Sequence, residues 1–156
     1  IQYLIDRGIR VATSSKLEVS DVPGVRNGMT LLSVDRSFWG MYESGAPSPI
    51  SRLLSLQKAH EWGEYTWTSI EPCPCTGIWK QDITRLLKAL HFVDLMILGK
   101  WNYDQRARTD EAREDYRRTI GIFRDFCKEH GIRYYVKSDT LTFIDEGTDI
   151  QGEKVK

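Results

Sequence analysis

Short apolar runs and longer amphipathic stretches alternate along the chain. Tyr3, Leu4 and Ile5 belong to an opening helix that should stop at Gly8, a residue suited to the left-handed position after a helix end. Residues 9–13 then read as a strand and residues 29–34 as a second. Ser48 followed by Pro49 predicts a helix start, with serine as the cap and proline in the first turn. That helix should run to about Trp62 and stop at Gly63. Residues 65–70 are rich in β-formers and predict the third strand. Ile83, Leu86, Leu87 and Leu90 repeat at helical spacing. Residues 94–98 form the continuous apolar run of a strand buried on both faces. Tyr116, Ile120, Phe123 and Cys127 make one stripe of a long helix over 109–130, ended by Gly131, and 132–136 is the fifth strand.

Strands alternating with helices imply parallel βαβ units. The predicted fold class is α/β, a partial (β/α) TIM-like barrel of about five mostly parallel strands with outer helices. The interval from Ser15 to Gly28 is too short for a full crossover helix, so a short helix or irregular crossover is expected around 19–26. Five strands of such a sheet would leave an exposed parallel edge near 9–13, which proteins normally cover. The chain begins in what reads as mid-helix, so a fragment of a longer protein is expected. No internal repeat or low-complexity segment is present.

Each predicted strand ends in polar residues, and ligands of parallel sheets bind beyond the C-terminal strand ends. The ends supply Ser14 and Lys16; Ser33 and Asp35; Ser69 and Glu71; Lys100 and Asn102; Lys137 and Asp139. Ser33, Glu71, Lys100 and Asn102 are expected to converge on one concavity. Glu71 precedes a proline at a strand mouth and could act as an acid, a base or an acceptor for a ligand's ribose. Lys100 could bind a carboxylate or phosphate as a point charge. The bland alternative is that Glu71 and Lys100 pair with each other. Asn102 either binds ligand or caps its loop. Cys73 and Cys75 supply two ligands where a tetrahedral metal needs three or four, so shielded thiols are the simpler expectation and no metal site is assigned. Cys127 falls on the apolar stripe. His60, His91 and His130 sit near helix C-termini, where a cation suits the dipole.

Composition narrows the picture further. Twenty-two basic and 22 acidic residues cancel, so no global charge favours non-specific nucleic-acid binding. No apolar run approaches the ~18 residues of a membrane helix, and the first residues lack a signal-peptide pattern. A cytoplasmic location without membrane contact is expected.

Several segments carry a family resemblance. Residues 28–35 (Gly-Met-Thr-Leu-Leu-Ser-Val-Asp), then Glu43-Ser44-Gly45-Ala46-Pro47-Ser48-Pro49 and Arg52, form a strand, an E-x-G-x-x-S-P loop and an arginine-bearing helix. Ile70-Glu71-Pro72, Gly99-Lys100-Trp101-Asn102-Tyr103 and the segment Tyr135-Val136-Lys137-Ser138-Asp139 follow in order. Together they resemble the spore photoproduct lyase-like proteins of the radical S-adenosylmethionine (SAM) superfamily. The resemblance implies that residues 1–145 are the C-terminal half of a (β/α)6 barrel; the polar, glycine-containing composition of 146–156 predicts a frayed tail after it. It implies an enzyme that binds a 4Fe–4S cluster and SAM and cleaves SAM reductively, with nucleic-acid lesions among the substrates of such proteins. The C-x-x-x-C-x-x-C cluster motif does not occur here, so its ligands would lie outside this chain and the chain alone would be inactive. The partner would be the missing N-terminal half of the barrel, or a homo-oligomer covering the open edge. Ser33 matches the serine expected to touch SAM. The family often ends the preceding strand in a Thr-Lys pair; here Thr13 is followed by Ser14 and the nearest lysine is Lys16, a departure from that pattern that leaves Ser14 and Lys16 as the candidates. Asp35 and Asn102 join them as cofactor-binding candidates, with Glu71 and Lys100 as catalytic ones. Two rival readings are another barrel enzyme using Glu71 and Lys100, and a non-catalytic half-barrel that serves as an interaction module.

Overall fold

The computed structural model describes residues 1–145; the expected frayed tail over 146–156 lies outside the described residues. Five strands form one sheet: β1 (Ala12–Ser15), β2 (Arg26–Thr30), β3 (Thr66–Cys73), β4 (Leu95–Lys100) and β5 (Arg133–Val136). All four pairings are parallel, and the strands lie side by side in chain order. A doubly wound sheet reverses its order at a switch point; this one does not, so it is a sector of a barrel-like sheet. Right-handed crossovers in a single direction place every connection on the same face.

Burial records that one-sidedness. Met29, Thr68, Ile70, Met96, Leu98 and Val136 alternate onto one face and are buried. Five of these six, all but Thr68, belong to the hydrophobic core shared with the helices. The opposite, open face carries Gly28, Thr30, Trp67, Ser69, Glu71, Ile97, Gly99 and Tyr135. None of its side chains joins that core. The helices are α1 (Gln2–Ile5), α2 (Arg36–Tyr42), α3 (Pro49–Glu61), α4 (Ile83–Ala89), α5 (Asp110–Glu129) and α6 (Ser138–Phe143).

Local chemistry explains most boundaries. Ser48 caps α3 by accepting from the Ser51 N–H, with Pro49 in the first turn. Thr109 caps α5 by accepting from the Ala112 N–H, and the stripe Ala112, Tyr116, Ile120, Phe123 and Cys127 is buried. Gly63 and Gly131 adopt φ of 81° and 65°, where a side chain would be strained. The expected C-terminal glycine of α1 is displaced: the helix ends at Ile5, and Gly8 takes the left-handed position three residues on.

Several expectations need correction. β1 begins at Ala12 rather than residue 9, because residues 9–11 precede the first pairing, Ala12 with Arg26. β2 covers Arg26–Thr30 rather than 29–34, because pairing with β3 stops at Thr30 and Ser69. Its polar start is tolerated because Asn27 is fully buried and bonded: its Oδ1 accepts from the Ser20 N–H at 2.8 Å and its Nδ2 donates to the Ser20 carbonyl at 3.2 Å. Those two bonds organise the crossover from β1 to β2, which contains no helix and takes the irregular form of the two anticipated. α2 and α6 were not anticipated. Each is short, and the flanking turns supply its order: Asp35 accepts from the Ser37 and Phe38 N–H groups, and Thr140 of α6 accepts from the Lys100 N–H.

Candidate functional site

β3 shows why the open face is the place to look. Its burial alternates, with Thr66, Thr68 and Ile70 buried and Trp67, Ser69 and Glu71 half-buried on the open side. Trp67 lies against Gly28 of β2. A Cβ built on Gly28 would stand 2.1 Å from the indole Cε2 and 2.4 Å from the Thr13 carbonyl oxygen. The ring therefore fills the volume that a side chain at 28 would need. One row further along the strands, Thr30, Ser69, Ile97 and Tyr135 are matched across four strands. At the N-terminal rim, the Arg26 and Arg133 guanidinium groups stand 4.8 Å and 5.0 Å from the centroid of the Tyr65 ring, within cation–π range.

Towards the C-terminal end, Glu71 lies over Gly99 of β4, and its Oε2 meets Lys137 Nζ at 2.5 Å. The simple alternative for Glu71 is therefore corrected in its partner: the ion pair exists, but with Lys137 rather than Lys100. Strand alternation is the cause. Gly99 faces Glu71, so the next residue, Lys100, points to the helix side. There its ammonium meets Asn102 Oδ1, Asp139 Oδ2 at 3.6 Å and the Phe143 ring at 5.6 Å. Asn102 Nδ2 donates to Asp139 Oδ2 at 3.1 Å. Lys100 and Asn102 thus come together, apart from Glu71, and tie the β4 exit to α6. The expected convergence of Ser33, Glu71, Lys100 and Asn102 does not occur.

The remaining candidates divide similarly. Ser14 is exposed on the open face, matched to Gly28. Ser33 is 1% exposed, and its Oγ accepts from the Asp35 N–H at 3.1 Å. Asp35 in turn caps α2, so Ser33 and Asp35 shape the turn that follows β2. Lys16 reaches Glu43 Oε1 at 2.9 Å. Glu43 also receives two bonds from Arg52, at 3.0 Å and 2.8 Å, and Arg52 donates to the Thr30 carbonyl at 2.8 Å. Arg52 is fully buried and Glu43 is 6% exposed. Burial raises the Glu43 pKa, but the hydrogen bonds and charges of Arg52 and Lys16 outweigh it and hold the carboxyl below its ordinary value of 4.5. The E-x-G-x-x-S-P segment is thereby locked to the end of β2.

The cysteines are shielded. Cys73, Cys75 and Cys127 are free and buried, and burial pushes the thiols of Cys73 and Cys127 up to about 12. Tyr116 seals this region: its hydroxyl donates to the Cys73 carbonyl at 2.8 Å and accepts from the Trp101 N–H at 2.9 Å. Among the described residues, no cluster of histidine, cysteine and carboxylate groups could hold a metal. Nor is any described helix long and apolar enough to cross a membrane.

The open-face members Trp67 and Tyr135 escaped the sequence reading, although the period-two alternation of β3 contained the signal for Trp67. Lys137 was visible as a strand-end lysine, but nothing in sequence links it to Glu71. No family model, curated protein or solved structure matches this chain.

Proposed function

We propose that this chain is the SAM- and substrate-facing sector of a radical SAM enzyme, with the open face of the sheet as its ligand surface. The supporting observation is the Glu71 carboxylate, 23% exposed and held over Gly99 beside Lys137, on a face whose side chains stay outside the helix-packed core among the described residues. The three buried thiols do not fit a 4Fe–4S cluster, so its ligands belong outside this chain, as the resemblance implies. SAM fits better. Ser14, Thr30 and Ser69 offer hydroxyls, Trp67 offers a ring against which a flat heterocycle can stack, and Glu71 offers an acceptor for a ribose hydroxyl. When bound with a reducing cluster, SAM supplies a carbon-centred radical; the residues here bind and orient it. Ser33, Asp35, Lys16 and the Glu43–Arg52 pair set the β2 mouth, while Lys100 and Asn102 fix the β4 mouth. Nucleic-acid lesions are the substrate class that the resemblance implies. The open sheet edge at β1 is where the complementary barrel half would pair.

Calorimetric titration with SAM tests this. Glu71→Ala should weaken binding by roughly 10- to 100-fold, the equivalent of one lost hydrogen bond to a charged group, with circular dichroism unchanged. Wild-type affinity in the variant, or no binding by the unaltered chain, refutes the assignment.

A further inference from the structure

We propose that Lys137 is a positioning residue for Glu71, and that Gly99 is glycine in order to admit the pair. The ligand's identity rests on the function proposed above; the positioning rests on geometry alone. Glu71 is on β3 and Lys137 directly follows β5, with β4 between them. Adjacent strands lie about 4.8 Å apart, so the outer two are roughly 10 Å apart. Glu71 and Lys137 can meet only if both side chains lie down across β4. At the crossing stands Gly99. A Cβ there would come within 2.9 Å of both Cδ and Oε1 of Glu71, and within 3.0 Å of its Cγ. Backbone conformation does not explain this glycine, since the positive-φ glycines are Gly8, Gly24, Gly63 and Gly131. Space explains it.

The pair is not a stability device. Its side chains are 41% and 23% exposed, and ion pairs so open to water contribute little to folding. What the ammonium does is hold one carboxylate oxygen, Oε2, while the other, Oε1, lies against Gly99 with no donor bonded to it among the described residues. Glu71 is thereby held in one orientation across β4. Lys100, the other lysine nearby in sequence, is committed to Asn102 and Asp139 and cannot substitute. The sequence disguised this arrangement because Lys100 and Glu71 close adjacent strands whereas Lys137 lies one strand further away.

The test uses the whole chain labelled with carbon-13, with the Glu71 carboxylate resonance assigned by Glu71→Gln and S-adenosylhomocysteine as the probe ligand. Lys137→Met and Gly99→Ala should each move the Glu71 resonance and weaken the probe by about tenfold, the scale of one hydrogen bond. Lys137→Arg should restore both to near the wild-type values. In a Glu71→Gln background, Lys137→Met should cause no further loss. A Glu71 resonance that ignores Lys137→Met overturns the positioning. So does an equal loss of affinity from Lys137→Met with and without Glu71, which would mean that Lys137 touches the ligand itself. If the resonance moves as expected but the unaltered chain binds no probe, the positioning is supported and the proposed function is overturned.

Discussion

Glu43→Gln gives a demanding check of how the E-x-G-x-x-S-P segment is held. The substitution keeps shape but removes the charge that faces Arg52, whose guanidinium is fully buried. Arg52 would retain the Thr30 carbonyl at 2.8 Å and lose its bidentate carboxylate. Its Nε already has no hydrogen-bond partner among the described residues. Breaking one side of a buried pair costs about 3–5 kcal/mol, because the surviving charge stays desolvated. Lys16 is 43% exposed at its side chain, so Lys16→Met should cost at most about 1 kcal/mol. The double variant Glu43→Gln/Arg52→Met should fall short of the sum of its singles by about 1–3 kcal/mol. Urea unfolding at neutral pH measures all four. The sign with pH follows from Glu43. Its folded-state value is depressed, so its contribution is fully present above the ordinary carboxyl value of 4.5 and is lost as pH falls through the lower, folded value. The stability gap between the wild type and Glu43→Gln should therefore narrow below about pH 4. A gap under 1 kcal/mol at pH 7, strict additivity, or a gap that ignores acid would refute the reasoning.

Gly28→Ala should lower stability by several kcal/mol, because the new methyl must displace either the Trp67 ring or the Thr13 backbone; thermal unfolding and indole fluorescence report it, and a neutral variant would show that the ring does not lie there. Cys73 and Cys127, pushed up to about 12 by burial, should resist alkylation at pH 8 in the folded chain and react on unfolding, as mass spectrometry would show. Anaerobic reconstitution should leave the chain without stoichiometric iron; a cluster held by Cys73, Cys75 and Cys127 would contradict their burial.

Patterns with a strong local cause were legible in the sequence. Ser48-Pro49, the stripe on α5 and the apolar run of β4 each have a single physical reading, and the parallel α/β sheet follows from their alternation. β2 was misplaced because its buried polar residue, Asn27, is satisfied by a loop seven residues earlier, which periodicity cannot register. The candidate site was half legible. Strand ends pointed to Glu71 and Lys100, but a single residue decides which face a side chain takes. Lys100 falls one place past Gly99 and so leaves the face that Glu71 occupies. Lys137 could be paired with Glu71 only once β5 was known to lie beside β4.

The side-by-side order of the strands also bears on how the chain comes to be folded. Every strand finds its partner in the segment made just before it, and β2 and β3 contacts span 39 residues. Loop closure of that length carries a modest entropic penalty, although parallel pairing across such crossovers is slower than the pairing of a hairpin. During synthesis each new strand could add to the rim left by its predecessor, without waiting for distant sequence. Domains that grow in this way expose one fresh rim at a time, so a ribosome-bound intermediate stopped after β3 should already hold β1 and β2 in register.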